Sequence, residues 1–271
     1  MKKLIFTSSM IVVALSISNT AFSLNPTAEY KVMPDKYGMK YKEEQIKTND
    51  GAILNAWFFE NAKKTTNTIV ISSSGDGNMA DNLEIVNQFL SMNYNVMTYD
   101  YRGYGKSSAF SIDANMFIYP HFITDLNAVL DFLRKGRAIT KFDLYGVGIG
   151  AGLSIGVGAN RPETKKIIAD GPWISLEGTR AVYKAKQGKA IDMPLGFDKN
   201  FEPQYALEKT RPHLKGILVI VSLNDQLVGP ADVKPLKGTE NFVIKTSKSN
   251  SENFSTDKNA YFEKIRKFMA N

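Results

Sequence analysis

Asp100-Tyr101-Arg102-Gly103-Tyr104-Gly105-Lys106-Ser107 follows without a break on Asn95 to Tyr99, NVMTY. The apolar run reads as a buried strand. The string after it reads as a glycine-punctuated turn, in which Asp100 and Arg102 can satisfy loop amides and carbonyls. The same alternation continues on both sides. Upstream, residues 40–48 and 52–60 read as two strands joined by Asn49-Asp50-Gly51, and Asp-Gly between alternating apolar residues is a hairpin signal. Thr68 to Ser73 (TIVISS) is a further strand, followed by the turn Ser74 to Asn78. Leu83, Ile85, Val86, Phe89 and Leu90 then fall at helical spacing.

Downstream, Phe122, Leu126, Val129, Leu130 and Leu133 mark a helix that stops near Gly136. Phe142 to Tyr145 is a strand, Gly146 to Gly150 a glycine turn, and a small-residue helix runs from there to about Asn160. Lys166 to Asp170, Gly216 to Ser222 and Asn241 to Lys245 are the remaining strands, and Tyr261, Ile265 and Phe268 mark the last helix. Residues 174–210, with Pro194, Gly196 and Pro203, are less regular and read as a small helical cap. Strands alternating with helices predict an α/β fold, a mostly parallel sheet covered by helices on both faces. One domain is expected over residues 40–271, with 24–39 as an extended N-terminal arm.

In this order the parts resemble the α/β-hydrolase superfamily, in particular its serine-aminopeptidase-like and acyl-ester-hydrolase branch, over most of residues 40–269. DYRGYGKS is the most specific element of the resemblance. The family carries its nucleophile in G-x-S-x-G at a strained strand-to-helix turn. The matching stretch is Gly146-Val147-Gly148-Ile149-Gly150, so the glycine scaffold is present and the nucleophile position is Gly148, which has no oxygen. The acid position matches Asp225, in Val221-Ser222-Leu223-Asn224-Asp225-Gln226. The resemblance puts the base between the last strand and last helix, in Thr246 to Asp257. That stretch has no His, and Asn250 or Glu252 stands nearest the expected place. Neither shuttles a proton near neutrality as an imidazole does.

Two histidines, His121 and His213, are the whole supply. His121 opens a helix beyond the DYRGYGKS turn, and His213 precedes the strand from Gly216. Both are expected to be structural or surface residues. The oxyanion donors are backbone groups and do not depend on side-chain identity. The resemblance assigns them to Ile149 and to Asp76 or Gly77, which predicts that a polar, anion-tolerant backbone pocket outlives the nucleophile.

Composition narrows the classes. The chain has 271 residues, 43% hydrophobic and 23% charged, which are globular values. The net charge is +7, or +5 without Lys2 and Lys3, too mild and too scattered for nucleic acid. With no cysteine there is no disulfide, thiolate metal site, thiol nucleophile or lipid-modified cysteine anchor. No His/Asp/Glu cluster has metal-ligand spacing, so neither a metal nor a cofactor is expected. Lys2-Lys3, the Ser-diluted apolar stretch from Leu4 to about Ile17, and Ala21-Phe22-Ser23 read as a signal peptide over residues 1–23. The mature chain then starts at Leu24, in a bacterial periplasm or outside the cell. No later segment is apolar enough to span a membrane.

The leading expectation is an exported hydrolase-fold protein without serine catalysis, binding an acyl or peptide ligand or a protein partner. The alternative is a hydrolase of acyl esters or short peptides with a relocated nucleophile at Ser73, Ser74 or Ser154. Gly152-Leu153-Ser154-Ile155-Gly156 matches G-x-S-x-G literally, but it falls within the helix, where the motif has no meaning. A third reading takes Gly146-x-Gly148-x-x-Ala151 with Asp170 as a dinucleotide fingerprint.

Overall fold

The computed structural model describes residues 24–188 and 190–271; the expected signal peptide lies outside them. The strands are β1 (Asn25–Pro26), β2 (Lys42–Lys47), β3 (Ile53–Phe59), β4 (Thr68–Ser72), β5 (Asp76–Gly77), β6 (Asn95–Tyr99), β7 (Phe142–Val147), β8 (Thr164–Asp170), β9 (Gly216–Ser222) and β10 (Glu240–Ile244). The helices are α1 (Leu83–Ser91), α2 (His121–Gly136), α3 (Ile149–Ala159), α4 (Leu176–Val182), α5 (Pro203–Ala206), α6 (Asn253–Thr256) and α7 (Lys258–Ala270). Eight strands form one sheet in the order β10-β9-β8-β7-β4-β6-β3-β2. Strand β3 pairs antiparallel with both β2 and β6, and the other pairings are parallel. This is the expected α/β architecture.

Each inner strand is apolar on both sides because each sheet face carries helices. On β9, Ile217, Val219 and Val221 join the cluster under α2 and α3, with Leu126, Val129, Leu133 and Leu153. Leu218 and Ile220 join the opposite cluster under α1 and α7, with Val86, Phe89, Tyr261 and Ile265. Helix α3 is buried along its whole length. Its small residues allow the close approach: a β-carbon at Gly152 would lie 2.0 Å from Trp173 Nε1.

The DYRGYGKS turn works as a structural clamp. Arg102 binds the buried Asp125 through Nε at 2.9 Å and Nη2 at 2.6 Å, and reaches Asp50 of the hairpin turn through Nη1 at 2.7 Å. Asp100 accepts from the Met79 amide at 2.7 Å and from Tyr30 Oη at 2.5 Å. The clamp thereby joins the hairpin, the β4–α1 connection and the N-terminal arm.

The arm is more than an extended lead-in. Strand β1 pairs in parallel with β5 in the turn after β4, and Pro34–Tyr37 is a single 3-10 turn. The irregular segment 174–210 holds α4, a π-helical turn at Tyr183–Gln187, a 3-10 turn at Lys199–Phe201 and α5. A parallel bridge from Met116 to Asp192 ties this cap to the connection between β6 and α2.

Candidate active site

Strand β7 lies between β4 and β8 and turns into α3 at Gly148, whose φ of 54° and ψ of −115° suit only glycine without strain. Its amide donates to the Asp170 carbonyl at 2.8 Å. A β-carbon at Gly146 would lie 2.2 Å from the Gly150 carbonyl oxygen, and one at Gly150 would lie 2.3 Å from that of Ser72. The turn is thus pressed against β4 as a nucleophile elbow is. A β-carbon at Gly148 meets nothing nearer than the Ser74 carbonyl oxygen, at 3.4 Å. The position has room for a side chain and carries none.

Asp225 follows β9 at the same sheet edge. Its Oδ1 accepts the amides of Leu227 at 2.8 Å and Val228 at 2.7 Å, and its Oδ2 accepts the Asn250 amide at 2.8 Å. Asn250 stands where a base would. Its Oδ1 accepts the Ser222 amide at 2.6 Å, and its Nδ2 donates to the Val228 carbonyl at 2.8 Å. Both polar ends of that amide are spent on backbone, so the pair ties the loop after β9 to the loop after β10. Glu252 is half-buried nearby, its carboxylate accepting the Lys248 amide at 3.3 Å.

The residues assigned to the oxyanion hole lie at the elbow and in the turn after β4. The Ile149 amide is directed at the Ser74 carbonyl over 3.4 Å, and the Asp76 amide at Ser74 Oγ over 3.4 Å. Gly77 lies in the β1–β5 ladder, where its carbonyl accepts the Thr27 amide at 3.0 Å. The assigned donors Ile149 and Asp76 thus face the protein's own oxygens, because the arm and the turn after β4 fold onto the elbow.

The substitute serines do not assemble a catalytic pair. Ser154 is 0% exposed, and its hydroxyl has no hydrogen-bond partner among the described residues. Ser73 Oγ accepts from Asn82 Nδ2 at 2.8 Å, and the Ser74 hydroxyl faces the Asp76 amide. His213 Nε2 lies 3.4 Å from the Gly158 carbonyl at the far end of α3. His121 packs on Phe110, ring centres 4.9 Å apart, with Nδ1 buried and without a hydrogen-bond partner among the described residues.

Asp170, the acid of the dinucleotide reading, is 2% exposed. It is buried beside the elbow, accepting from Asn253 Nδ2 at 2.6 Å and Tyr261 Oη at 2.7 Å. Tyr261 in turn lies 2.8 Å from the hydroxyl of Tyr145. Burial pushes the Asp170 carboxyl up to about 7, against those two hydrogen bonds, which favour the anion. Sequence reasoning missed this network because its members are up to 116 residues apart. Among the described residues no group of three or more His, Cys, Asp or Glu side chains could hold a metal ion.

Fold and site together define an α/β-hydrolase fold whose elbow has Gly148 at its centre. The chain is similar to the α/β-hydrolase superfamily, and the model of the "Serine aminopeptidase, S33" family matches residues 64–193. It is similar to protein bem46 of Schizosaccharomyces pombe, with 27% identity over 53% of this chain, and it spans about half (48%) of that relative's length. The esterase Pf2001 of Pyrococcus furiosus superposes with a TM-score of 0.71 and 20% identity, covering 92% of this chain and 97% of that one. Est1E of Butyrivibrio proteoclasticus, solved with ferulic acid bound, gives a TM-score of 0.61 and 17% identity over 84% of this chain and all (100%) of its own.

Proposed function

We propose that this protein is an exported α/β-hydrolase-fold binding or interaction module that does not hydrolyse. One observation carries the reading: Asp225 and Asn250 hold each other and the neighbouring backbone, at the same sheet edge as an elbow whose centre is Gly148. Acyl transfer by this fold needs an oxygen or sulfur at the elbow and a base to take its proton. Neither is present at those positions, and the Ile149 amide that would steady an oxyanion is turned to Ser74. Pf2001, named an esterase, is similar in fold, and serine-ester chemistry on this fold needs the side-chain oxygen that Gly148 lacks.

The purified protein is expected to show no turnover of short acyl esters or aminoacyl amides above buffer, and no labelling by a fluorophosphonate. Gly148→Ser alone should leave turnover at background, because an unactivated hydroxyl is a poor nucleophile. Robust hydrolysis by the unmodified chain, abolished by changing Ser73, Ser74 or Ser154, would overturn the proposal. Export rests on the charged and then apolar pattern of residues 1–23. Expression in a bacterial host should yield periplasmic or secreted protein whose first residue by Edman degradation is Leu24. Cytoplasmic protein starting at Met1 would remove that part of the reading.

A further inference from the structure

The turn that closes the old site is itself occupied. Leu24 is 1% exposed. A β-carbon at Gly75 would lie 3.1 Å from Leu24 Cδ2 and 3.3 Å from Ile149 Cγ1. Gly75 has a φ of 93°, so glycine both permits the turn and leaves a notch that the leucine enters beside the elbow. The backbone of the arm is read as a strand would be. The Asn25 amide donates to the Gly75 carbonyl at 2.9 Å and the Thr27 amide to the Gly77 carbonyl at 3.0 Å. Asn25 Nδ2 donates to Asp76 Oδ1 at 2.9 Å.

Behind this short contact the arm is fixed more firmly. Asn78 Nδ2 donates to the carbonyls of Thr27 at 3.2 Å and Glu29 at 2.8 Å, and Tyr30 is bound to Asp100 and Asn55. Residues 24–26 therefore hang from an anchored hinge by two ladder residues, one leucine and one amide. A paired stretch that short opens at low cost compared with the sheet.

We propose that the edge of β5 with the Gly75–Ile149 notch is a peptide-docking site, held in cis by residues 24–27. In trans it takes an extended peptide with an apolar side chain followed by a carboxamide. Main-chain ladder bonds would supply affinity, the notch the choice of the first residue, and Asp76 the choice of the second. The inference rests on the non-hydrolytic reading, since it makes the remnant site a place for holding a peptide rather than cutting one. Because the arm is tethered, a competitor must reach about millimolar concentration to displace it.

A chain without cysteine makes the test clean. Leu24→Cys in the full chain is reacted with a maleimide, alone and with millimolar Leu-Asn-Pro-Thr-Ala-Glu-Tyr, the sequence of residues 24–30. An exposed Asn49→Cys protein gives the reference rate. The cysteine at 24 should react at least about tenfold more slowly than the reference. The peptide should raise its rate several-fold, and a peptide with Asp in place of Leu should not. Deuterium exchange of the Asn25 and Thr27 amides in the unmodified protein should follow the same pattern, which guards against an effect of the substitution. Fast exchange of those amides without peptide, or rates indifferent to the leucine peptide, would overturn the proposal. Ester turnover would sink the non-hydrolytic reading while leaving these rates untouched, so the two failures are separable.

Discussion

A single carboxyl beside the elbow sets how stability should depend on pH. Asp170 has no cation among its hydrogen-bond partners, and burial pushes it up to about 7. Asp100 is pushed up to about 6 for the same reason. An aspartate in the unfolded chain titrates near 4. Between about pH 4 and 7 the native protein therefore binds more protons than the unfolded one, and stability falls as pH rises through that window. Asp50, held low by the Arg102 guanidinium, acts in the opposite sense, and its contribution is lost only at more acid pH. Asp170→Asn is expected to flatten the decline above pH 6 and to raise the Tm at pH 8. Thermal melts at half-unit intervals from pH 4.5 to 8 check this. A variant whose Tm tracks the parent across the range would clear Asp170 of the effect.

At the scale of elements, α3 shows propensity and packing in opposition. Alanine favours a helix interior over glycine by about 1 kcal/mol, yet a β-carbon at Gly152 would lie 2.0 Å from Trp173 Nε1. Trp173 is buried, and its Nε1 donates to the Ile149 carbonyl at 3.3 Å, so it has little freedom to move aside. Gly152→Ala is therefore expected to lower the unfolding free energy by a net of up to about 2 kcal/mol, the cost of overpacking less the gain in propensity, and with it the urea midpoint; a midpoint equal to or above the parent's would show that the tryptophan yields. The strands and long helices were legible because each carries its period locally, and Asn49-Asp50-Gly51 marked the hairpin. The glycine frame marked the elbow, and the loop after β9 marked Asp225. What could not be read depends on distant partners. The seating of the arm pairs residues 51 positions apart. The closure of the Ile149 amide depends on where the Ser74 carbonyl turns. The backbone duty of Asn250 depends on Ser222 and Val228, each more than 20 residues away.

For the molecule as a whole, the elbow shows a scaffold that its own packing requires. The flanking glycines are required by the carbonyls of Ser72 and Gly150 whether or not a nucleophile stands between them. The sharp turn is in that sense a packing solution of the β7–α3 crossing, and a search keyed to its glycines finds the fold rather than the activity. At Gly148 the backbone sits at φ 54° and ψ −115°, a conformation that costs a residue with a side chain about 1–3 kcal/mol. Gly148→Ser should leave the circular dichroism spectrum unchanged and reduce unfolding free energy by about that amount; an equal or higher urea midpoint would mean the turn is relaxed. The consequence reaches beyond this one chain. A lineage that exchanges serine for glycine at such a turn gains stability in the same step that ends its catalysis. Reversal must climb back against that gain and needs a histidine besides, so the substitution works as a ratchet, and inactive branches of this fold should persist once they arise.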